Sequence, residues 1–296
     1  MVKFSIVVVC LNAGERLKMT IESILAQSCG DYEIVVKDGM STDGSVEALP
    51  KDSRIRILRE KDKGIYDAMN QAVEKVSGEY VYFLNCGDVF YDAEVLSRVK
   101  EKMMAAEERG AEQSMEEQGE VERSAAGQRS EERFSSGKGK KARFIFYGDI
   151  HEHLTGERVA SNPSMDAFGC YRNVPCHQAC FYAAELMREK QFELRYKVRA
   201  DYEHFLWCFF EGKAKTVYMP LLIADYEGGG FSETKANLRC SAQEHKQIVR
   251  TYMPAGQVFK YKAIMVLTLS GIRTWLARNK ATAHVYNRVK RMLYRR

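Results

Sequence analysis

Four apolar runs in the first ninety residues each end in a polar cluster, and this repeat restricts the fold more than any other feature. Phe4–Cys10 leads into Asn12, and Glu33–Lys37 leads into Asp38-Gly-Met-Ser-Thr-Asp43-Gly44. Arg54–Leu58 leads into Glu60-Lys-Asp62-Lys63-Gly64, and Tyr80–Leu84 into Asn85-Cys86-Gly87-Asp88. The runs have strand length and are rich in Val, Ile, Phe and Tyr. Between them, Leu17, Ile21, Ile24 and Leu25 recur at i, i+4, i+7 and i+8; Ile65, Met69, Ala72 and Val73 repeat that spacing. Each set marks one apolar helix face. The alternation predicts an α/β fold: a doubly wound, mostly parallel sheet with helices on both faces. Parallel strands deliver all four clusters to one edge, and ligands of open α/β sheets bind outside the carboxyl ends of the strands. An acidic pocket is therefore expected there.

The rest of the chain is less regular. Residues 101–141 are mostly Glu, Gln, Ser, Gly, Ala, Arg and Lys. Such a stretch cannot offset its ordering entropy by burial, which predicts a helix that outruns its support and then a mobile insertion. Arg143–Tyr147, Ala179–Ala183 and Ala214–Met219 read as further strands, the last ended by Pro220. Asp201 opens a buried helix whose Phe205, Trp207, Phe209 and Phe210 read as core, and Gly228–Ser232 reads as a flexible loop. These signals divide the chain into an α/β domain, 1–232, and a basic amphipathic helical tail, 233–296.

The eight cysteines include no Cys-x-x-Cys pair, and Cys170, Cys176, Cys180 and His177 lack the spacing of a zinc finger or ribbon. Reduced thiols and the absence of a signal-peptide pattern after Met1-Val-Lys make the cytoplasm the expected compartment. The net charge of +5 is unevenly spread: no acidic residue follows Glu244, while Lys and Arg continue to Arg296. Val258–Arg296 mixes Phe259, Ile264, Val266, Leu267 and Trp275 with ten Lys and Arg residues. Its apolar stretch is too short to span a bilayer. A basic helix of this kind suits the membrane surface, here the inner face of the cell membrane. The alternative is a helix packed on the α/β domain with a solvated basic face. No nucleic-acid recognition motif is present.

The loop after the first run, Leu11-Asn12-Ala13-Gly14-Glu15, is neither a dinucleotide fingerprint nor a phosphate loop, which disfavours a dehydrogenase or a P-loop ATPase. Carboxylates instead bind phosphate through a divalent cation, and magnesium typically takes one or two of them. That arrangement suits a nucleoside diphosphate leaving group.

Taken in order, Ser5–Asn12, Glu33–Gly44, Asp62-Lys-Gly-Ile-Tyr-Asp-Ala-Met-Asn70 and Phe83-Leu-Asn-Cys-Gly-Asp88 resemble the family 2 glycosyltransferases. The resemblance spans Phe4 to Asp92 and returns at Pro175–Gln178, Asp201–Glu203 and Gly228–Ser232. It implies a GT-A fold, a nucleotide-sugar donor, UDP-linked, a divalent cation (Mg2+ or Mn2+) and inversion at the anomeric carbon. It is nearest to bacterial members that build capsule, exopolysaccharide or O-antigen, so the implied acceptor is a glycan or a lipid-linked intermediate. Asn12 and Glu15 then border the nucleotide, Asp38 meets the base and ribose, and Asp62 and Lys63 approach nucleotide or phosphate. Asp88 matches the last acid of the metal motif and Asp201 the general base, whose pKa a partly dry pocket would raise.

Two departures stand out. Asn85 replaces a carboxylate in the metal motif, leaving its carbonyl and a further ligand such as His177 to complete the site. Ala200 replaces an acid before Asp201, and Glu203 is the alternative base. The thinned metal motif also fits a non-catalytic nucleotide-sugar-binding or scaffold module. Asp67 and Asn70 read equally as structural or functional, and Gln178 as a loop residue or an acceptor contact.

Overall fold

The computed structural model describes residues 2–109, 143–228 and 235–268. The expected insertion from residue 110, the loop from residue 229 and the tail from residue 269 lie outside the described residues. The chain divides into two compact units, Met1–His245 and Lys246–Arg296.

The first unit begins β1 (Phe4–Cys10), α1 (Glu15–Leu25), β2 (Tyr32–Asp38), β3 (Ile55–Arg59), α2 (Ile65–Val73), β4 (Tyr80–Phe83) and β5 (Val89–Phe90). A helix α3 covers residues 95–109. Then follow β6 (Phe144–Glu152), β7 (Glu157–Val159), α4 (Ala167–Arg172), a short 3-10 helix (His177–Ala179), β8 (Cys180–Ala183), α5 (Ala184–Glu189), α6 (Ala200–Phe210) and β9 (Lys215–Tyr226). Helix α7 (Lys235–Tyr252) starts in this unit and ends in the second.

The sheet order is β3-β2-β1-β4-β8-β6-β9-β5, with β7 on the far part of β6. Strands β3, β2, β1 and β4 are parallel, as their buried apolar runs imply. All four polar clusters therefore leave the sheet at one edge. Helix α1 buries Leu17, Ile21 and Ile24 under it, each stabilising the fold by about 1.5–3 kcal/mol. Beyond β4 the pattern changes, because β8 runs antiparallel to both β4 and β6.

Strand β9 does not stop at Pro220. It runs on to Tyr226, because its pairing with β6 slips there: Tyr147 faces Tyr218, but Asp149 faces Leu222. Pro220 falls in this bulge, where its missing N–H costs no ladder bond. Gly148 makes the close approach possible, since a Cβ there would lie 2.6 Å from the Leu221 carbonyl oxygen.

Helix α6 is buried along most of its length. His204 is fully enclosed. Its Nε2 donates to the Lys190 carbonyl at 2.9 Å, and the Cys208 thiol lies 3.6 Å from Nδ1. Burial pushes its pKa down from 6.5 to about 4. The unfolded chain thus takes up a proton near pH 6.5 that the folded one refuses until about pH 4. Stability present above pH 6.5 is lost as pH falls across that window, by about 3 kcal/mol. Denaturant midpoints measured from pH 7 to pH 4 should fall accordingly, and His204→Gln, which keeps a donor for Lys190, should flatten the slope.

The second unit, described to residue 268, holds the end of α7 and helix α8 (Ala255–Leu267). Phe259, Val266 and Leu267 are 75%, 66% and 81% exposed. At helical spacing Phe259, Ala263 and Val266 form one line, flanked by the exposed Lys260 and Lys262. Among the described residues, no helix is long and apolar enough to cross a membrane.

Candidate active site

The loops after β1, β2 and β3 are joined into one surface. Asn12 sits at φ +50°, a left-handed conformation that Asn tolerates. Its Oδ1 accepts from the Thr42 N–H at 2.9 Å and its own N–H donates to Ser41 Oγ at 2.8 Å. Asp38 is buried and accepts from the Ser41 N–H at 2.9 Å, Ser41 Oγ at 2.5 Å and Arg59 Nε at 3.1 Å. Lys37 is also buried. Its ammonium donates to the Glu60 carbonyl at 2.7 Å and to Asp62 Oδ2 at 2.9 Å, the pairing a buried charge requires. Glu15 and Lys63 are exposed at the rim.

The fourth cluster carries the acid expected at the metal. Thr20 Oγ accepts from the Gly87 N–H at 3.0 Å and donates to the Asp88 carbonyl at 2.8 Å, which fixes the turn. The Asp88 side chain is buried and accepts from Gln178 Nε2 at 2.9 Å and from the Glu227 N–H at 3.0 Å. Burial pushes its carboxyl up, and these two donors offset only part of the shift. The Gln178 side chain is thus bonded to Asp88.

Asp201 lies in the first turn of α6 and is reached through the residue next to Gln178. The Asn85 amide lies 3.1 Å from His177 Nε2, and His177 Nδ1 lies 3.4 Å from Asp201 Oδ2. Asp201 Oδ1 accepts from the Tyr66 hydroxyl at 3.0 Å and the Tyr202 N–H at 2.8 Å. The short 3-10 helix that carries both His177 and Gln178 is tied to the sheet by the Tyr82 hydroxyl, which donates to the Gln178 carbonyl at 2.7 Å. One turn thus holds Asp88 with one residue and Asp201 with the next. Contrary to the expectation from the sequence, the Asp201 carboxyl is held below its usual range: burial pushes it up, but His177, the Tyr202 N–H and Tyr66 together outweigh that.

Glu203 does not join this group. Two residues along a helix turn about 200°, and Glu203 is buried on the other side, 3.4 Å from the Lys190 ammonium. Asn70 is structural: it pins the Phe192 backbone with two bonds of 2.9 Å. Asp67 accepts from the Lys63 N–H at 2.8 Å.

No sequence signal points to what positions α6. The buried Glu244 on α7 accepts from the Lys197, Val198 and Arg199 N–H groups at 2.7, 3.1 and 2.9 Å, immediately before the helix starts. A carboxylate over three successive donors at a helix N-terminus is a strong anchor.

Asp88 and Asn85 are the residues that could hold a divalent cation. Asn85 Oδ1 is buried with no hydrogen-bond partner among the described residues, so a carbonyl oxygen beside the Asp88 loop is free for a ligand. Among the described residues, no cluster of three His, Cys, Asp or Glu side chains is arranged to hold an ion. One carboxylate and one amide oxygen fit a magnesium-like ion that takes its other ligands from phosphate and water. His177, expected as a further ligand, has both ring nitrogens engaged by Asn85 and Asp201.

Comparisons with known proteins bear on the family and the fold. The profile of Glycosyl transferase family 2 matches residues 5–161. A PGL/p-HBAD biosynthesis glycosyltransferase of Mycobacterium bovis is 32% identical over 238 residues, covering 78% of this chain and 79% of its own. Among solved structures, S. aureus TarS 1-349 in complex with UDP-GlcNAc superposes with a TM-score of 0.59 at 13% identity, over 89% of this chain and 71% of TarS 1-349. Mannosyltransferase PcManGT from Pyrobaculum calidifontis, in complex with GDP-Man and Mn2+, gives 0.51 at 12% identity, over 99% of this chain and 87% of its own. The sheet with its four edge loops is thus a GT-A fold, and the chain belongs to glycosyl transferase family 2, as a glycosyltransferase.

Proposed function

We propose that the enzyme inverts the anomeric carbon, depends on a divalent cation, and moves a sugar from a UDP-linked donor to a hydroxyl of a lipid-linked glycan in cell-surface polysaccharide synthesis. The observation that carries this reading is the bonded series Asn85–His177–Asp201–Tyr66, which fixes a carboxylate beside the metal motif. Asp201 takes the proton of the acceptor hydroxyl as that oxygen attacks the anomeric carbon. His177 and Tyr66 hold the carboxylate in place and keep it ionised. A single carboxylate base with no covalent intermediate gives inversion. Asp88 and Asn85 hold the cation, which when bound neutralises charge growing on the departing diphosphate. Asn12, Asp38, Asp62 and their loops line the nucleotide. The donor class is supported by the UDP-GlcNAc and GDP-Man named with the two solved structures.

The test is release of nucleoside diphosphate from a panel of sugar nucleotides, with and without Mg2+ or Mn2+. The product's anomeric configuration is read by NMR. Cation-dependent release with inversion is the expected result; no release from any donor overturns the reading.

The lipid-linked acceptor is supported by α8, whose exposed apolar line with flanking lysines suits an anionic bilayer surface. In flotation with vesicles containing anionic lipid, the protein should rise with the vesicles. Phe259→Glu combined with Val266→Glu should leave it in the lower fraction. Equal recovery of both proteins rejects the membrane role.

A further inference from the structure

An ion pair that the reaction just described does not use lies over the fourth cluster. Arg16, in the first turn of α1, donates to the carboxylate of Glu227, which follows the last residue of β9. The pair rests on Gly87, whose φ of +101° and missing side chain make room for it. A Cβ at Gly87 would lie 2.7 Å from Arg16 Nη2 and 2.8 Å from Nε, and nearer still to the Glu227 carboxylate. The guanidinium is therefore stacked on bare backbone one residue from Asp88. Through its own N–H, Glu227 also holds Asp88 Oδ1 at 3.0 Å.

Three observations give Arg16 a partner outside the protein. Its side chain is 57% exposed and that of Glu227 43%, so the pair can open without uncovering the core. Exposed pairs of this kind are worth about 0–1 kcal/mol, and a ligand of higher charge displaces one partner readily. Of the other cations on these loops, Lys37 is buried on Asp62 and Arg59 bridges Asp38 and Glu47, whereas the exposed Lys61 and Lys63 belong to the third loop, away from the Asp88 turn that Arg16 covers. The fourth cluster also supplies one carboxylate, Asp88, beside the neutral amide of Asn85. A cation held there carries less compensating charge from the protein, and a guanidinium alongside supplies a planar fork that matches phosphate oxygens.

We infer that Arg16 binds the diphosphate of the donor, and that Glu227 is an internal stand-in that occupies the guanidinium until the nucleotide replaces it. This rests on the donor class proposed above. It makes Glu227 a competitor for Arg16, so the two removals have opposite signs. Arg16→Gln weakens binding, whereas Glu227→Gln strengthens it, because Arg16 no longer has to be taken from a partner.

The test is calorimetric titration with UDP and with GDP in the presence of Mg2+. Arg16→Gln should raise Kd about tenfold, the size of one lost charged hydrogen bond, with Arg16→Lys intermediate. Glu227→Gln should lower Kd several-fold. In the double variant the Glu227 effect should vanish. The inference is overturned if Arg16→Gln binds as tightly as the unaltered protein. It also fails if Glu227→Gln does not tighten binding while circular dichroism shows an intact fold. A Glu227 effect that persists without Arg16 would mean simple repulsion of the nucleotide, and rejects the stand-in role. If the unaltered protein binds neither nucleotide, the donor reading itself has failed and this inference with it.

Discussion

Asp201→Asn is expected to lower kcat by about 10²–10⁴-fold, the usual worth of a positioned general base, while the Kd for UDP stays within about twofold. The asparagine keeps the shape of the side chain and one oxygen to accept from Tyr66 and Tyr202, so α6 and the loops remain in place. It cannot take a proton. Glu203→Gln is the matched control. Its carboxylate is buried against Lys190 on the opposite side of the helix, so it should affect stability more than kcat. Steady-state rates at saturating donor and a separate UDP titration check both. A silent Asp201→Asn beside an inactive Glu203→Gln would transfer the base role to Glu203.

The second large effect is expected at the metal motif. Asp88→Asn removes its only carboxylate and should raise the Mn2+ concentration for half-maximal binding in the presence of UDP by at least about tenfold, since oxygen sites tune affinity by ligand charge. Asn85→Asp adds a carboxylate where the protein has a neutral amide, and should lower that concentration. Electron paramagnetic resonance of free Mn2+ reads binding without relying on turnover. If the two variants shift it in the same direction, or not at all, the cation lies elsewhere.

The parallel strands and the loops at their edge were legible in the sequence, for a physical reason. Strands buried on both faces, such as β1 and β2, need near-continuous apolar runs, and the loops they end in need Gly, Asp and Ser. Those signals are local. What was not legible depends on residues far apart in the chain. Nothing near Ala179–Ala183 says that β8 runs against its neighbours, because direction is set by pairing with β4 and β6. Pro220 read as a strand end because the bulge that tolerates it is made by Gly148. In sequence, Gln178 reads as a loop residue or an acceptor contact, because its partner, Asp88, is 90 residues away. Arg16 and Glu227 are separated by 211 residues. The lowered pKa of Asp201 shows the same limit: desolvation is foreseeable from an apolar helix, but the three donors that outweigh it come from two other elements and its own turn.

Glu244 bears on how this chain can be shortened. The last acid in the sequence is also the peg on which the catalytic helix hangs, and it lies beyond the glycine-rich stretch where a cut looks natural. A protein ending near residue 232 would leave the amides of Lys197, Val198 and Arg199 without their acceptor. Such a truncation would go dead for want of a scaffold, whatever the removed segment does at a bilayer. Testing the proposed membrane contact apart from catalysis requires a stop after α7, past Tyr252.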